Sequence, residues 1–358
     1  MTSSTSAGPT ARLALPDAFR GIAAMAVVVY HLYHQNLAPA AVTPLPEPFH
    51  SLFTHGYLGV YVFFVLSGFV IALSIRGAWI TPAFIGRFAL RRSLRLDPPY
   101  WAVIAIAVVI SVVAHREQAP PPSAGSVVAH VFYAQTFAGY PQIIGVLWTL
   151  CLEIQFYLVF VVVLMLAQRL VPRQAWLAFL PLAVVSVIAS AGWIDLGIAL
   201  FVWAWPFFFL GVITAWHLDG RMPTAGWACV ALGSCVIAVG HPDRIAAAMV
   251  TTFVLFVAGR RTPAGRLPLQ EVTLGRALQY LGKISYSLYL THLLIATKAC
   301  RVAIRALGGG PLSWPKLLVI LVGCVGLSVV VAHVFYLCVE RPAQRLSKRI
   351  TLAARRST

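Results

Sequence analysis

Residues 19–31, FRGIAAMAVVVYH, set an arginine and a histidine eleven positions apart with no charge between them. On a helix eleven residues make about three turns plus 20°, so Arg20 and His31 share a face, about 16 Å apart along the axis. An imidazole can take a proton from a hydroxyl and return it, and an arginine fork matches phosphate or carboxylate. Two further ionisable groups stand in apolar runs, Glu153 in LWTLCLEIQFYLVF and His292 in SYSLYLTHLLIA. A carboxylate there must be paired or protonated, and it is suited to orienting an imidazole or stabilising its cation. Each histidine is equally suited to a plain hydrogen bond between helices. In GRFALRRSLRLDPPYW, Arg87, Arg91, Arg92 and Arg95 recur at spacings of three and four and form one cationic helix face. Such a face fits a phosphate-bearing ligand and fits anionic lipid as well.

The elements that must position these groups follow from composition. Of 358 residues, 60% are hydrophobic and 10% charged, with a mean hydropathy of +0.84. A soluble domain carries about 25% charged residues. Ten apolar segments can be drawn, at 18–38, 57–77, 99–115, 146–167, 175–193, 197–216, 225–240, 244–259, 277–299 and 315–339. Each approaches the roughly 20 residues that a membrane-spanning helix needs. With the N-terminus in the cytoplasm, 21 of the 27 Lys and Arg residues fall on the cytoplasmic side, as the positive-inside rule requires. The net charge of +17 is thereby explained without nucleic acid. The polar N-terminus shows no cleavage site after a short apolar core, so the first segment reads as an uncleaved anchor. Loops 39–56 and 116–145 on the outer side are rich in Pro and Gly. The six cysteines show neither metal spacing nor a paired framework, which assigns them to packing.

The expected fold is an all-α integral membrane protein of about ten transmembrane helices with both termini cytoplasmic. Residues 1–17 form a polar N-terminus, 18–340 the membrane domain and 341–358 a basic tail, with no soluble second domain. On this topology Arg20 lies at the cytoplasmic boundary, and His31 lies past the midplane. Glu153 and His292 lie about 9 and 10 Å below the outer boundary. Three separate helices thus bring His31, Glu153 and His292 to one depth.

Taken in order, the motifs resemble the acyltransferase-3 family of membrane proteins, which O-acylate sugars and small molecules. The arginine, ten residues and histidine of Arg20 and His31 are similar to its first signature. GVYVFFVLSGFVI (59–71), with Ser67 and Gly68, resembles its phenylalanine-rich second segment. Arg92 and Arg95 before Pro98 and Tyr100, the tryptophan-to-glutamate run ending at Glu153, SYSLYLTHLLI and VERPAQRL resemble the remaining blocks. The match runs from about residue 17 to 346, nearly the whole chain.

The resemblance implies an acyl-CoA donor, in the first place acetyl-CoA, entering from the cytoplasm with its phosphates near Arg91, Arg92 and Arg95. It implies further substrate contacts at Arg20, Ser67, Tyr286 and His292. His31 would be the general base that deprotonates an acceptor hydroxyl, with Glu153 orienting or stabilising its imidazole. No metal is called for. The expected partners are the lipid bilayer and a carbohydrate or glycoside acceptor, and the expected location is a bacterial cytoplasmic (inner) membrane. The rival reading is a proton-coupled transporter or flippase with His31 and Glu153 as a relay, but paired broken-helix repeats are not visible.

Overall fold

A computed structural model describes residues 14–113, 121–170, 174–197, 201–261 and 273–352. Arg12, Arg116, Arg173, Arg266, Arg355 and Arg356, used above for orientation, lie outside the described residues. Among the described residues there is no sheet, only an isolated bridge between Ala41 and Leu312. Seven helical runs are long and apolar enough to cross a bilayer: Leu15–Leu37, Glu47–Ser74, Pro82–Val113, Trp148–Arg169, Phe201–Leu218, Pro242–Arg260 and Trp314–Ser347. The chain is an all-α, multi-pass membrane protein. The other three expected segments meet helices of a different kind. Ala175–Ser190 and Thr224–Val239 are short, and Ser285–Ala306 has the length but carries Ser, Thr, His, Lys and Arg.

The core has an aromatic half. Helices α3 (Gly59–Ser74), α6 (Trp148–Leu170) and α8 (Trp205–Leu218) pack with Phe64 on Phe208 at 4.4 Å and Phe156 on Phe208 at 4.3 Å between ring centres. α3 and α8 touch backbone to backbone. A Cβ on Gly68 would lie 1.8 Å from the Phe208 carbonyl oxygen, and one on Gly211 would lie 1.9 Å from that of Val65. In lipid, where no hydrophobic drive joins helices, small residues at the crossing supply the close van der Waals contact. Gly68 in the second motif is therefore a packing requirement.

The second half is more polar. α1 (Ala14–Leu32) runs against α11 (Thr273–Lys283) and α12 (Ser285–Ala306), and α12 pairs with α13 (Trp314–Phe335). The first crossing also rests on glycine, since a Cβ on Gly282 would sit 1.8 Å from the Asp17 carbonyl oxygen. Both α1 and α13 end in a π-helical turn, Tyr33–Leu37 and Tyr336–Glu340, the second leading into α14 (Arg341–Ser347).

Two expected boundaries differ. The third segment was expected to start at Pro99, yet α4 (Pro82–Val113) continues through Pro98 and Pro99. These prolines cannot donate to the carbonyls of Leu94 and Arg95. The helix is braced instead by the buried Asp97, which accepts from Ser93 and, at 2.9 Å, from the Tyr133 hydroxyl. The Tyr286 hydroxyl donates to the Leu96 carbonyl at 2.9 Å. The last segment, expected to stop at residue 339, runs on to Ser347 because Glu340 and Gln344 find polar partners rather than lipid.

Candidate active site

Helix α4 is too long to lie wholly within a bilayer: its 32 residues span about 48 Å, against a hydrocarbon core of about 30 Å. With α1, α11 and α14 it walls a cavity of about 540 Å³. Arg20, Arg91, Arg92, Arg95, Lys283 and Lys348 line it, with Asp17 and Glu340 as the acids. Arg91, Arg92 and Arg95 thus face one space, as their spacing predicts, whereas Arg87 is exposed and outside its wall. The Arg92 guanidinium lies over the Tyr157 ring at 4.9 Å and the Phe88 ring at 5.5 Å, which holds the fork in place without neutralising it. Nε of Arg20 is buried with no hydrogen-bond partner among the described residues. A buried donor of this kind is costly unless a ligand completes it.

Glu340 was missed from sequence, because its carboxylate ends an apolar count. It is 2% exposed, and its Oε2 accepts the Ser287 backbone N–H at 3.1 Å and the Ser287 hydroxyl at 2.5 Å. Oε1 accepts from Gln344 at 2.7 Å. The acid therefore caps the start of α12 from another helix, where the orphan N–H groups and the helix dipole favour a negative charge. Its signal in sequence is the acid of VERPAQRL, set directly after the last apolar run. Lys283 and Lys348 were likewise not singled out.

A second, narrow cavity of about 50 Å³ continues from the first, sharing Arg20, Ser285 and Tyr286 with it. Ser67, Thr149, Glu153 and Tyr289 line this passage. Glu153 Oε1 accepts from the Ser67 hydroxyl at 2.6 Å and from the Tyr157 hydroxyl. Ser67, Tyr286 and Glu153 are therefore gathered into one site.

The expected link between Glu153 and His31 is not made: among the described residues no hydrogen bond joins them. Equal depth fixed the height of the two groups but not their direction around their helices. His31 instead faces α12, with its ring centre 5.3 Å from that of His292. His292 is 1% exposed, and its Nδ1 donates to the Leu288 carbonyl at 3.1 Å. That bond leaves Nε2 as the lone-pair nitrogen, and among the described residues Nε2 has no partner. His31 Nδ1 pairs with the Gln35 side-chain amide at 3.1 Å. Tyr289 connects the two regions. Its hydroxyl shares a 2.9 Å bond with Thr149 in the passage, and its ring lies 5.9 Å from that of His292. Among the described residues no group of three or more His, Cys, Asp or Glu is placed to hold a metal.

Comparison with known proteins agrees with this arrangement. The acyltransferase-domain family matches residues 14–333. The peptidoglycan O-acetyltransferase OatA of Listeria monocytogenes serovar 1/2a is 25% identical over 325 residues, which cover 78% of this chain and 49% of that protein. The chain thus spans about half the length of the curated relative it matches. No solved structure matches it. With the family match covering residues 14–333, the chain belongs to the acyltransferase-3 family of membrane proteins.

Proposed function

We propose that the protein moves an acyl group, acetyl in the first place, from acyl-CoA to a hydroxyl of a carbohydrate or glycosylated small molecule, with His31 as the general base. One observation carries this reading. The cavity with six cationic side chains shares Arg20, Ser285 and Tyr286 with a narrow second cavity, and that cavity's Tyr289 packs its ring against His292 of the histidine pair. Coenzyme A has the same layout, a multiply charged phosphate end and a slender arm ending at the thioester. Arg91, Arg92, Arg95 and Arg20 would pair the phosphates, and the arm would run past Ser67, Tyr286 and Glu153.

At the far end His31 accepts the proton of the acceptor hydroxyl as that oxygen attacks the thioester carbonyl carbon. The C–S bond breaks, the ester forms, and the imidazolium returns its proton to the leaving thiolate. A group with imidazole chemistry suits both halves of this transfer. His292, with an unshared nitrogen beside the His31 ring, supports the imidazolium where Glu153 had been expected to. Glu153 keeps a positioning role in the passage through Ser67 and Tyr157. The arginine-rich end faces the cytoplasm, where acyl-CoA is available, both termini lie on that side, and the membrane is a bacterial inner membrane. The name of the Listeria relative supports a surface glycan as acceptor.

The test is binding of acetyl-CoA to the purified protein in nanodiscs. Saturating donor, at a hundred times Kd, should stabilise by about 2.7 kcal/mol and raise Tm. A proton-coupled transporter would show no such shift, and absence of the shift overturns the proposal.

A further inference from the structure

At the end of the molecule opposite the arginine-lined cavity lies another pocket, of about 370 Å³, within the roughly 300–1,000 Å³ range of small-molecule sites. Gln35, Asn36, Arg301, Arg305 and Gly309 line it, and none of its lining residues is acidic. The Asn36 side chain is 5% exposed. Its Oδ1 accepts from Arg301 Nε at 3.1 Å, and because that nitrogen can only donate, the orientation of the amide is fixed. The other end, Nδ2, is therefore a donor, buried and without a partner among the described residues. The arginine and the amide thus form neighbouring donor edges in the floor of one pocket. Arg305 adds a second guanidinium one turn further along α12.

Two circumstances give the pocket meaning. Of the six basic residues assigned to the outer side, Lys298, Arg301, Arg305 and Lys316 fall within 19 residues around it. That is the side on which the positive-inside rule disfavours cations. Gln35, in the pocket wall, also holds Nδ1 of His31. A molecule seated here would be one side chain away from the imidazole, on the side away from the donor cavity.

We propose that this pocket binds the acceptor through a carboxylate, so that the acceptor is an acidic carbohydrate whose hydroxyl is presented to His31 beside Gln35. The inference rests on the reading of His31 as the reacting end. A carboxylate is planar with two acceptor oxygens and matches the paired edges of Arg301 and Asn36.

The experiment uses the full chain in neutral-lipid nanodiscs, with fluorescently labelled trigalacturonic acid and its carboxyl-reduced twin as probes. The acid should bind at least about tenfold more tightly than the twin, as charge-assisted hydrogen bonds imply. The Arg301→Gln/Arg305→Gln variant should lose that preference while retaining its Tm shift with acetyl-CoA. Should the double variant fail to fold, Arg305→Gln alone should reduce the preference by about threefold or more. Equal affinity for acid and twin overturns the inference, as does a preference that survives in the variants. Phosphatidylglycerol added to the nanodiscs supplies the other arm. If the wild type retains that lipid, the variant loses it and no acid preference is seen, the pocket is a headgroup site and the inference fails. A missing acetyl-CoA shift in a wild type that still prefers the acid would overturn the donor reading instead.

Discussion

The two halves of this protein solve opposite problems. Around α3, α6 and α8 the interior is a stack of Phe, Tyr and Trp rings, with backbones in contact at Gly68 and Gly211. Around α1, α12 and α14 the buried groups include Ser285, Ser287, Thr291, His292 and Glu340. Aromatic packing is shape-specific and holds no charge, so it gives one wall of the passage a fixed position. In the proposed mechanism the polar half carries the chemistry, and it needs that wall, because each buried donor there must find a partner or a ligand. Ser67 and Glu153 sit at the seam: α3 and α6 belong to the aromatic half, yet these side chains point into the passage.

Substitutions can break this division. The largest effect is expected from His31→Ala, which should lower transfer about 10²- to 10⁴-fold. Acetyl-CoA should still raise its Tm, and a variant that retains full turnover would remove the imidazole from the mechanism. In the aromatic half, Gly68→Ala should act on stability rather than on chemistry. Its Cβ meets a backbone oxygen that cannot rotate away, and overpacking of this kind costs about 1–3 kcal/mol. Thermal unfolding in detergent would report it as a lowered Tm, with the surviving folded protein binding donor normally. A smaller loss is expected from Arg92→Gln, about tenfold in donor affinity and with a shallower dependence on salt. Equal affinity in titrations at low and high salt would mean that Arg92 does not meet phosphate.

The smallest expected effect lies in the segment between α4 and α6. His130, buried on α5 (Ala124–Val131), contacts the Ser126 carbonyl through Nδ1 at 2.7 Å. Its Nε2 accepts the Ile143 N–H at 3.1 Å, which requires the neutral ring. Burial lowers its pKa below the ordinary 6.5. The neutral form therefore contributes stability that is complete above pH 6.5 and is lost as pH falls below it. Between pH 7.5 and 5.5 the wild type should lose more Tm than His130→Gln. Parallel curves would show that the bond to Ile143 does not matter.

What could be read from sequence was what helical arithmetic fixes. The eleven-residue spacing put Arg20 and His31 on one face, and both face α12: Arg20 beside Ser285 and Tyr286 in the cavity, His31 against His292. Depth counting set His31, Glu153 and His292 at one level and left open which of them meet; the structure pairs His31 with His292. Depth could not say which way Glu153 points, because the rotation of α6 against its neighbours is set by ring packing that no single segment encodes. Glu340 was hidden by the hydropathy criterion itself, which stops at a carboxylate although the helix does not. The apolar segment begins at Pro99 in sequence, whereas α4 runs through Pro98 and Pro99, where Asp97, Tyr133 and Tyr286 brace it.

The π turn at Tyr336–Glu340 makes chain length a coordinate of the cavity. Such a turn accommodates one residue more than the α-helix around it, so every position beyond is rotated by about 100° from where an unbroken helix would carry it. Gln344, Ser347 and Lys348 reach the cavity wall in that rotated frame. Deleting a single residue such as Leu337 would keep every cavity side chain in the sequence and still turn this wall away from the ligand. In this helix the count of residues is therefore as much a part of the site as their identity.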